Sequence, residues 1–334
     1  MELKAEVIAR ALHSCSCGNH YLDNFAGHAR CDINHQLTAL RSRLDKHNVF
    51  VITGPTAVGK SAFGVSFASM VDGEIVSADS MQVYKYMNIG TAKPTEDEKC
   101  GIAHFMLDII APWEDYSVSR YVKDAARCID DILQRGKNAV IVGGTGLYID
   151  SLLSGRTFSA RGNASLRQKL ESEYDSIGGG DMLSKLREFD PDSAEKLHPN
   201  DKKRIVRAIE VFIASGKPIS MHNNETQALP PRYNAMKLAL MPSSREALYK
   251  RIERRVDIMI ANDLESEVRG LLNMGTPPDA TSMQAIGYKE IVAAIQGQCS
   301  MTDAIEKIKT ESRRYSKRQL TWLRRDTSIV WVMQ

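Results

Sequence analysis

Short continuous apolar runs recur along this chain, and between them apolar residues return every three or four positions. The run Val49–Thr53 (VFVIT) is β-branched and bounded by Gly54-Pro55, the pattern of a strand buried on both faces of a parallel sheet. Comparable runs at 74–79 (EIVSAD), 104–110 (HFMLDII), 138–144 (NAVIVGG), 236–242 (MKLALMP) and 327–333 (TSIVWVM) predict five more strands. Helices are predicted over 61–71 and 117–136; in the second, Val118, Tyr121, Val122, Ala125, Ile129, Ile132 and Leu133 fall at helical spacing. Strands alternating with helices imply an α/β fold whose parallel sheet carries helices on both faces. Residues 156–228 break the rhythm with the helical segments ASLRQKLESEY, DMLSKLREF, SAEKL and DKKRIVRAIEVFIASG, a loop at SIGGGD, and no convincing strand. They are read as an all-helical insertion into a core formed by 48–155 and 229–334. Residues 1–47 are rich in His, Asn and Cys, have no strand pattern, and are expected to be a poorly ordered extension.

Composition narrows the class. The chain has 334 residues, 43% hydrophobic and 25% charged, which excludes disordered, collagenous and coiled-coil proteins. Six cysteines, at 15, 17, 31, 100, 128 and 299, are too irregular for a disulfide scaffold, so a reducing compartment is expected. There is no run approaching the ~18 apolar residues of a membrane span, and MELKAEVIARALH does not read as a secretory signal. A cytoplasmic protein with no membrane partner is expected. Net charge is only +3, so affinity for nucleic acid must be sought in local clusters of basic residues.

The strongest chemical signal is Gly54-Pro55-Thr56-Ala57-Val58-Gly59-Lys60-Ser61, a G-x-x-x-x-G-K-[ST] loop placed between a predicted strand and a predicted helix. Glycines let successive N–H groups point into one anion-sized hollow, and the helix start adds its positive end. Lys60 supplies a charge for two phosphates, and the Ser61 hydroxyl is a ligand for Mg2+. The core is therefore P-loop NTPase-like. The loop names a polyphosphate with Mg2+, not a nucleoside triphosphate. The remaining parts of an ATPase are hard to find: AVIVGGTGLY ends in glycines and Thr145 instead of a carboxylate, and whether ATP binds is left open. EIVSAD does end in Asp79, which belongs at the same rim as Lys60 and is a candidate general base or metal carboxylate. In Asp79-Ser80-Met81-Gln82-Val83-Tyr84 the Gln82 amide is a candidate for reading an adenine edge, and the aromatic rings are candidates for stacking on one.

Three blocks in order, GPTAVGKS, SADSMQVYKYMNIGTAKP and GGTGLY, resemble the tRNA dimethylallyltransferase (tRNA isopentenyltransferase) family, and HPNDKKRIVRAIEV, IGYKEI and YSKRQLTWLRRD are similar to its later motifs. The resemblance runs from about 48 to 334. It implies transfer of a dimethylallyl group from dimethylallyl diphosphate to N6 of the adenosine 3′ of the anticodon, adenosine 37, in tRNAs reading codons that start with U. Diphosphate is released. On the family pattern Asp79 is the general base and Thr145 lies at the reaction centre with Lys60. Ser80, Met81 and Gln82 join Asp79 and Thr145 at the tRNA, and Arg167, Lys203, Arg204, Ile205, Val206 and Arg207 contact it from the insertion. Arg255, in REALYKRIERRVDIMI beside Arg251 and Arg254, is carried over as a diphosphate contact.

Basic residues support a nucleic-acid partner, expected to be the tRNA anticodon stem-loop. Arg313, Arg314, Lys317, Arg318, Arg324 and Arg325 fall in one helical stretch, and Lys202, Lys203, Arg204 and Arg207 form a second cluster, with Ile205, Val206, Ile209 and Val211 as its apolar face. Three rivals share parts of the pattern: an adenylate isopentenyltransferase acting on free AMP, ADP or ATP, a P-loop small-molecule kinase, and a nucleic-acid-binding ATPase. The insertion and both clusters argue against the first. DSMQVY and GGTGLY remain unexplained by the others. The chain stops at Gln334 without the C-terminal zinc finger of eukaryotic members, as expected of the shorter bacterial type, and a monomer is expected. Cys15, Cys17, His20, His28, Cys31 and His35 in the extension match no zinc spacing and are read as an incidental leader.

Overall fold

The computed structural model describes residues 3–4, 47–155, 164–227 and 230–333. Seven strands form one sheet: β1 (Leu3–Lys4), β2 (Val49–Thr53), β3 (Gly73–Ser77), β4 (His104–Phe105), β5 (Asn138–Val142), β6 (Ala235–Met241) and β7 (Val330–Met333). Their order is β1-β7-β6-β2-β5-β3-β4, and every neighbouring pair is parallel. Val51 at the centre lies in register with Ile141 on one side and Lys237 on the other. Both faces are covered. Helix α1 (Lys60–Met70) packs its Val65 and Phe67 with Phe50, Ile52, Ile75, Val140 and Leu238 into one buried cluster. Following α2 (Glu96–Lys99), α3 (Val118–Gln134) lies against β3 and β5 and buries Tyr121, Ala125, Ile129 and Ile132. Burial on two faces is why β2 reads as a nearly continuous apolar run rather than as an alternation; β3, also buried throughout, tolerates Glu74 because Arg135 pairs with it at 2.6 Å.

Departures from the sequence reading are local. The run at 104–110 forms only the two residues of β4, because Met106 and Asp108 take positive φ values of 67° and 54° that no extended strand accommodates. The chain rejoins the sheet margin through a single bridge between Tyr84 and Ile110. In the leader, read as strandless, Leu3–Lys4 pairs with β7 at the sheet edge. The Cys/His-rich stretch of the leader lies outside the described residues.

Contacts divide the chain into two compact units, Met1–Leu153 with Tyr233–Gln334, and Ser154–Arg232. The first continues with α4 (Gly146–Leu153). The second is helical throughout its described residues: α5 (Ala164–Ile177), α6 (Gly179–Arg187), α7 (Pro191–Lys196), α8 (Lys202–Ser215) and α9 (Ile219–Gln227). Leu170, Met182, Leu186, Ile205, Val206 and Ile209 form its core. At SIGGGD the loop shrinks to Gly178, whose φ of 85° separates α5 from α6. Helix α9 was not foreseen, because ISMHNNETQ has no apolar periodicity. Its start is tied down by buried Asp190, which caps α7 through Ser193 and also accepts from the Ser220 N–H at 3.1 Å. The first unit resumes at Tyr233 and adds α10 (Arg245–Ala261), α11 (Leu264–Asn273), α12 (Tyr288–Ile295) and α13 (Met301–Leu323).

Candidate active site

Strands β2, β5 and β3 are neighbours, so the loops leaving their carboxyl ends share one rim. The loop after β2 enters α1 through Gly59, whose φ of 88° is left-handed, and no side chain caps the helix. The first-turn N–H groups are thus left for an anion. Val58 is buried in the core, so it offers its backbone alone. The loop after β5 passes so close to the loop after β3 that a Cβ on Gly143 would sit 2.2 Å from the Ala78 carbonyl oxygen. Only glycine permits that approach. It brings Thr145 beside Asp79: Thr145 N–H donates to Ala78 O at 3.2 Å, and Ser80 N–H donates to Thr145 Oγ1 at 3.2 Å. Asp79 Oδ1 accepts from the Met81 N–H at 2.9 Å, which fixes the carboxylate while leaving Oδ2 for other work.

Two cavities meet at this carboxylate. One, of about 590 Å3, is lined by Thr56, Ala57, Gly59, Lys60, Ser61, Asp79, Gln82 and Arg255 among others. The second, of about 330 Å3, shares Thr56, Ala57, Asp79, Thr91, Arg255 and Tyr315, and adds Ser80, Met81, Lys289 and Arg318 with apolar Ile252, Val256 and Met259. Lys60 Nζ donates to the Pro55 carbonyl at 2.8 Å. Burial, with help from Arg255 and against the attraction of Asp79, brings its pKa down to about 7. Burial also lowers the Arg255 guanidinium, against the attraction of Asp79. Two half-buried cations that share a single neighbouring carboxylate, Asp79, are a ready receptor for a compact polyanion. Of the four arginines on α10, Arg255 is the one lining both cavities, and its Nη1 reaches Thr56 Oγ1 at 3.3 Å.

Helix α13 supplies what sequence reading missed. Buried Gln319 accepts from the Thr56 N–H at 2.8 Å through Oε1 and donates to the Gly144 carbonyl at 2.9 Å through Nε2, stapling the phosphate loop to the loop after β5. Tyr315, one turn earlier, hydrogen-bonds Thr145 and Gln319; burial and the nearby Asp79 push its hydroxyl up to about 12, so it stays protonated. Glutamine and tyrosine inside YSKRQLTW carry no signal of their destination. Only the packing of α13 on α12, α10 and α4 reveals it.

Several expected roles are corrected. The Gln82 amide does not face outward to read a base: Nε2 donates to the Thr91 and Ala92 carbonyls at 3.2 and 3.3 Å, and Oε1 accepts from Ser77 Oγ at 3.1 Å. It organises the loop instead. Tyr84 is 1% exposed and has no free ring face for stacking. Ile205 and Val206 are buried in the helical unit's core, whereas Lys203 and Arg204 are exposed. Arg167 and Arg207 converge in that unit on Glu210. In the C-terminal basic cluster Arg313 is held by Glu253 at 2.6 Å and Arg314 by Glu311 at 2.7 Å, and the helix ends at Leu323, before Arg324 and Arg325.

Comparison with known proteins agrees with this geometry. The sequence model of the family described as IPP transferase matches residues 82–326, and that described as isopentenyl transferase matches 47–112. A tRNA dimethylallyltransferase of Acetivibrio thermocellus is 46% identical over 286 residues, covering 85% of this chain and 91% of that relative. Among solved structures, the tRNA isopentenylpyrophosphate transferase of Bacillus halodurans is 38% identical, with a TM-score of 0.64 over 86% of this chain and 90% of that one. A eukaryotic dimethylallyltransferase described as acting on tRNA is 32% identical, with a TM-score of 0.71 over 82% of this chain and 69% of that one. With phosphate loop, strand-tip aspartate and glycine-rich loop on one rim, and with relatives this close over nearly the whole core, the chain belongs to the tRNA dimethylallyltransferase family.

Proposed function

We propose that the protein moves the dimethylallyl group of dimethylallyl diphosphate onto N6 of adenosine 37, next to the anticodon, in tRNAs that read codons beginning with U. The observation that carries this reading is the position of Asp79 on the wall of both cavities, one of which is floored by the phosphate loop. The diphosphate is bound by the uncapped N–H groups at the start of α1, by Lys60 and by Arg255, which stabilise the negative charge that grows as the C–O bond breaks. Asp79 Oδ2 takes the proton from the attacking exocyclic amine. The adenine leaves the anticodon-loop stack to reach it, as base-modifying enzymes require. Thr145, held between Ser80 and Tyr315, borders the same point.

The donor set also fits Mg2+. Ser61 is an exposed hydroxyl on the cavity wall beside Lys60. A cation held by one hydroxyl and phosphate oxygens is the arrangement Mg2+ favours. When bound, it supplies additional positive charge to the departing diphosphate.

No helix among the described residues is long and apolar enough to cross a membrane. With tRNA as substrate we place the protein in the cytoplasm. The test is one incubation with labelled dimethylallyl diphosphate, unmodified tRNA and AMP, with and without ATP. Label on tRNA without ATP is expected. Label on AMP, or an absolute need for ATP, overturns the reading.

A further inference from the structure

Besides the capping residue Asp190, the helical unit buries a second carboxylate, Glu210, beside its apolar core. Glu210 is 1% exposed, on a helix whose Ile205, Val206 and Ile209 form the core. Two arginines from different helices meet it. Arg207, one turn earlier on α8, donates Nη1 to Oε2 at 2.8 Å. Arg167, on α5, donates Nη2 to Oε1 and Oε2 at 3.2 and 3.1 Å and directs Nε at Oε2 at 3.4 Å. Both arginine side chains remain partly in solvent, at 47% and 36% exposure.

A buried carboxylate is tolerated only when paired, so this one fixes its partners as firmly as they fix it. Each guanidinium carries five N–H donors in a rigid plane; Arg207 turns only Nη1 to Glu210, and Arg167 turns Nε and Nη2 but not Nη1. The remainder stand in set directions at the surface, and the trio keeps a net charge of +1. By contrast, Lys203 and Arg204 are exposed and make no ion pair among the described residues.

Resting on the tRNA reading of this surface, we propose that Glu210 is a positioning residue that holds Arg167 and Arg207 as one preorganised fork for a backbone phosphate of tRNA. Orienting two flexible side chains before the ligand arrives removes an ordering loss from the binding step. The idea has an unusual sign. Electrostatics alone says that deleting a negative charge near a polyanion tightens binding, whereas loss of positioning weakens it.

The test is Glu210→Gln in the full chain, with folding checked by circular dichroism and thermal melting. Dissociation constants for unmodified tRNA are measured across salt concentrations, together with KM and kcat. Expected are a rise of about tenfold in Kd and in KM for tRNA, unchanged kcat and unchanged KM for the donor, and a salt slope no smaller than that of the parent. Equal or tighter tRNA binding overturns the proposal, as does a fall in kcat with KM unchanged. Should Glu210→Gln fail to fold, Arg167→Lys with Arg207→Lys keeps both charges and removes the planar fork. Weaker binding at an unchanged salt slope is then expected, and unchanged binding overturns the proposal. Arg167→Ala with Arg207→Ala separates the two levels. If it abolishes tRNA affinity while Glu210→Gln does not, the fault lies with Glu210 alone; if it too leaves affinity intact, the tRNA reading of the surface falls with it.

Discussion

Lys60 makes donor binding a proton-linked event. Burial and Arg255 set its pKa at about 7 in the protein alone. A diphosphate against the ammonium reverses that balance and raises the pKa back toward the ordinary lysine range. The folded protein without donor therefore loses this proton as pH rises through about 7, and the complex keeps it. Affinity is at its full value below pH 7 and declines from there up to the pKa of the complex. The linkage factor relative to the fully protonated site is about 2 at pH 7, about 10 at pH 8 and about 100 at pH 9, or about 1.4 kcal/mol per pH unit on the steep limb. The assay is titration calorimetry with a non-reactive thio-analogue of dimethylallyl diphosphate from pH 6 to 9, in two buffers of different ionisation enthalpy. Lys60→Arg serves as reference, because its guanidinium stays charged throughout. The parent is expected to take up close to one proton at pH 9 and to bind about 50-fold more weakly there than at pH 7, beyond any change in the reference. Equal pH slopes in the two proteins would refute the argument, since the diphosphate's own ionisation is common to both.

Three further outcomes are expected. Asp79→Asn keeps an oxygen for the Met81 N–H, so tRNA affinity stays near the parent while kcat falls about 10² to 10⁴-fold; near-normal single-turnover rates would dismiss the base assignment. Gln319→Leu leaves the Thr56 N–H and the Gly144 carbonyl without partners, at about 1 to 3 kcal/mol each, lowering Tm and raising KM for the donor more than KM for tRNA. A thermal melt and donor KM both matching the parent would show that the staple is dispensable. Lys203→Ala with Arg204→Ala removes two exposed charges, so the slope of log K against log salt should flatten by about 1.4 to 1.8 with kcat at saturating tRNA unchanged. An unaltered slope would mean that these side chains neutralise no phosphate.

What lay open in the sequence is what neighbouring residues decide among themselves. Gly54 to Ser61 curl around an anion because their own backbones allow it, and VFVIT is a two-sided strand because its own side chains are apolar throughout. Asp79 and Thr145 were legible for a related reason: each lies in the loop just beyond a strand, and parallel strands deliver their carboxyl ends to a common rim. The insertion was visible because strand signals vanish from it, and Arg255 stood out only through family likeness. The tertiary structure decided the rest. Gln319 reaches the phosphate loop from 263 residues away, and Tyr315 comes with it, because α13 packs beside the β5 loop. Gln82 turned inward because the carbonyls of Thr91 and Ala92 came within its reach, and Glu210 drew together two arginines that the sequence places 40 residues apart. A local pattern records the geometry a segment prefers; which polar groups it must satisfy is known only once distant segments are packed against it, since a buried donor or acceptor takes whatever partner the fold provides.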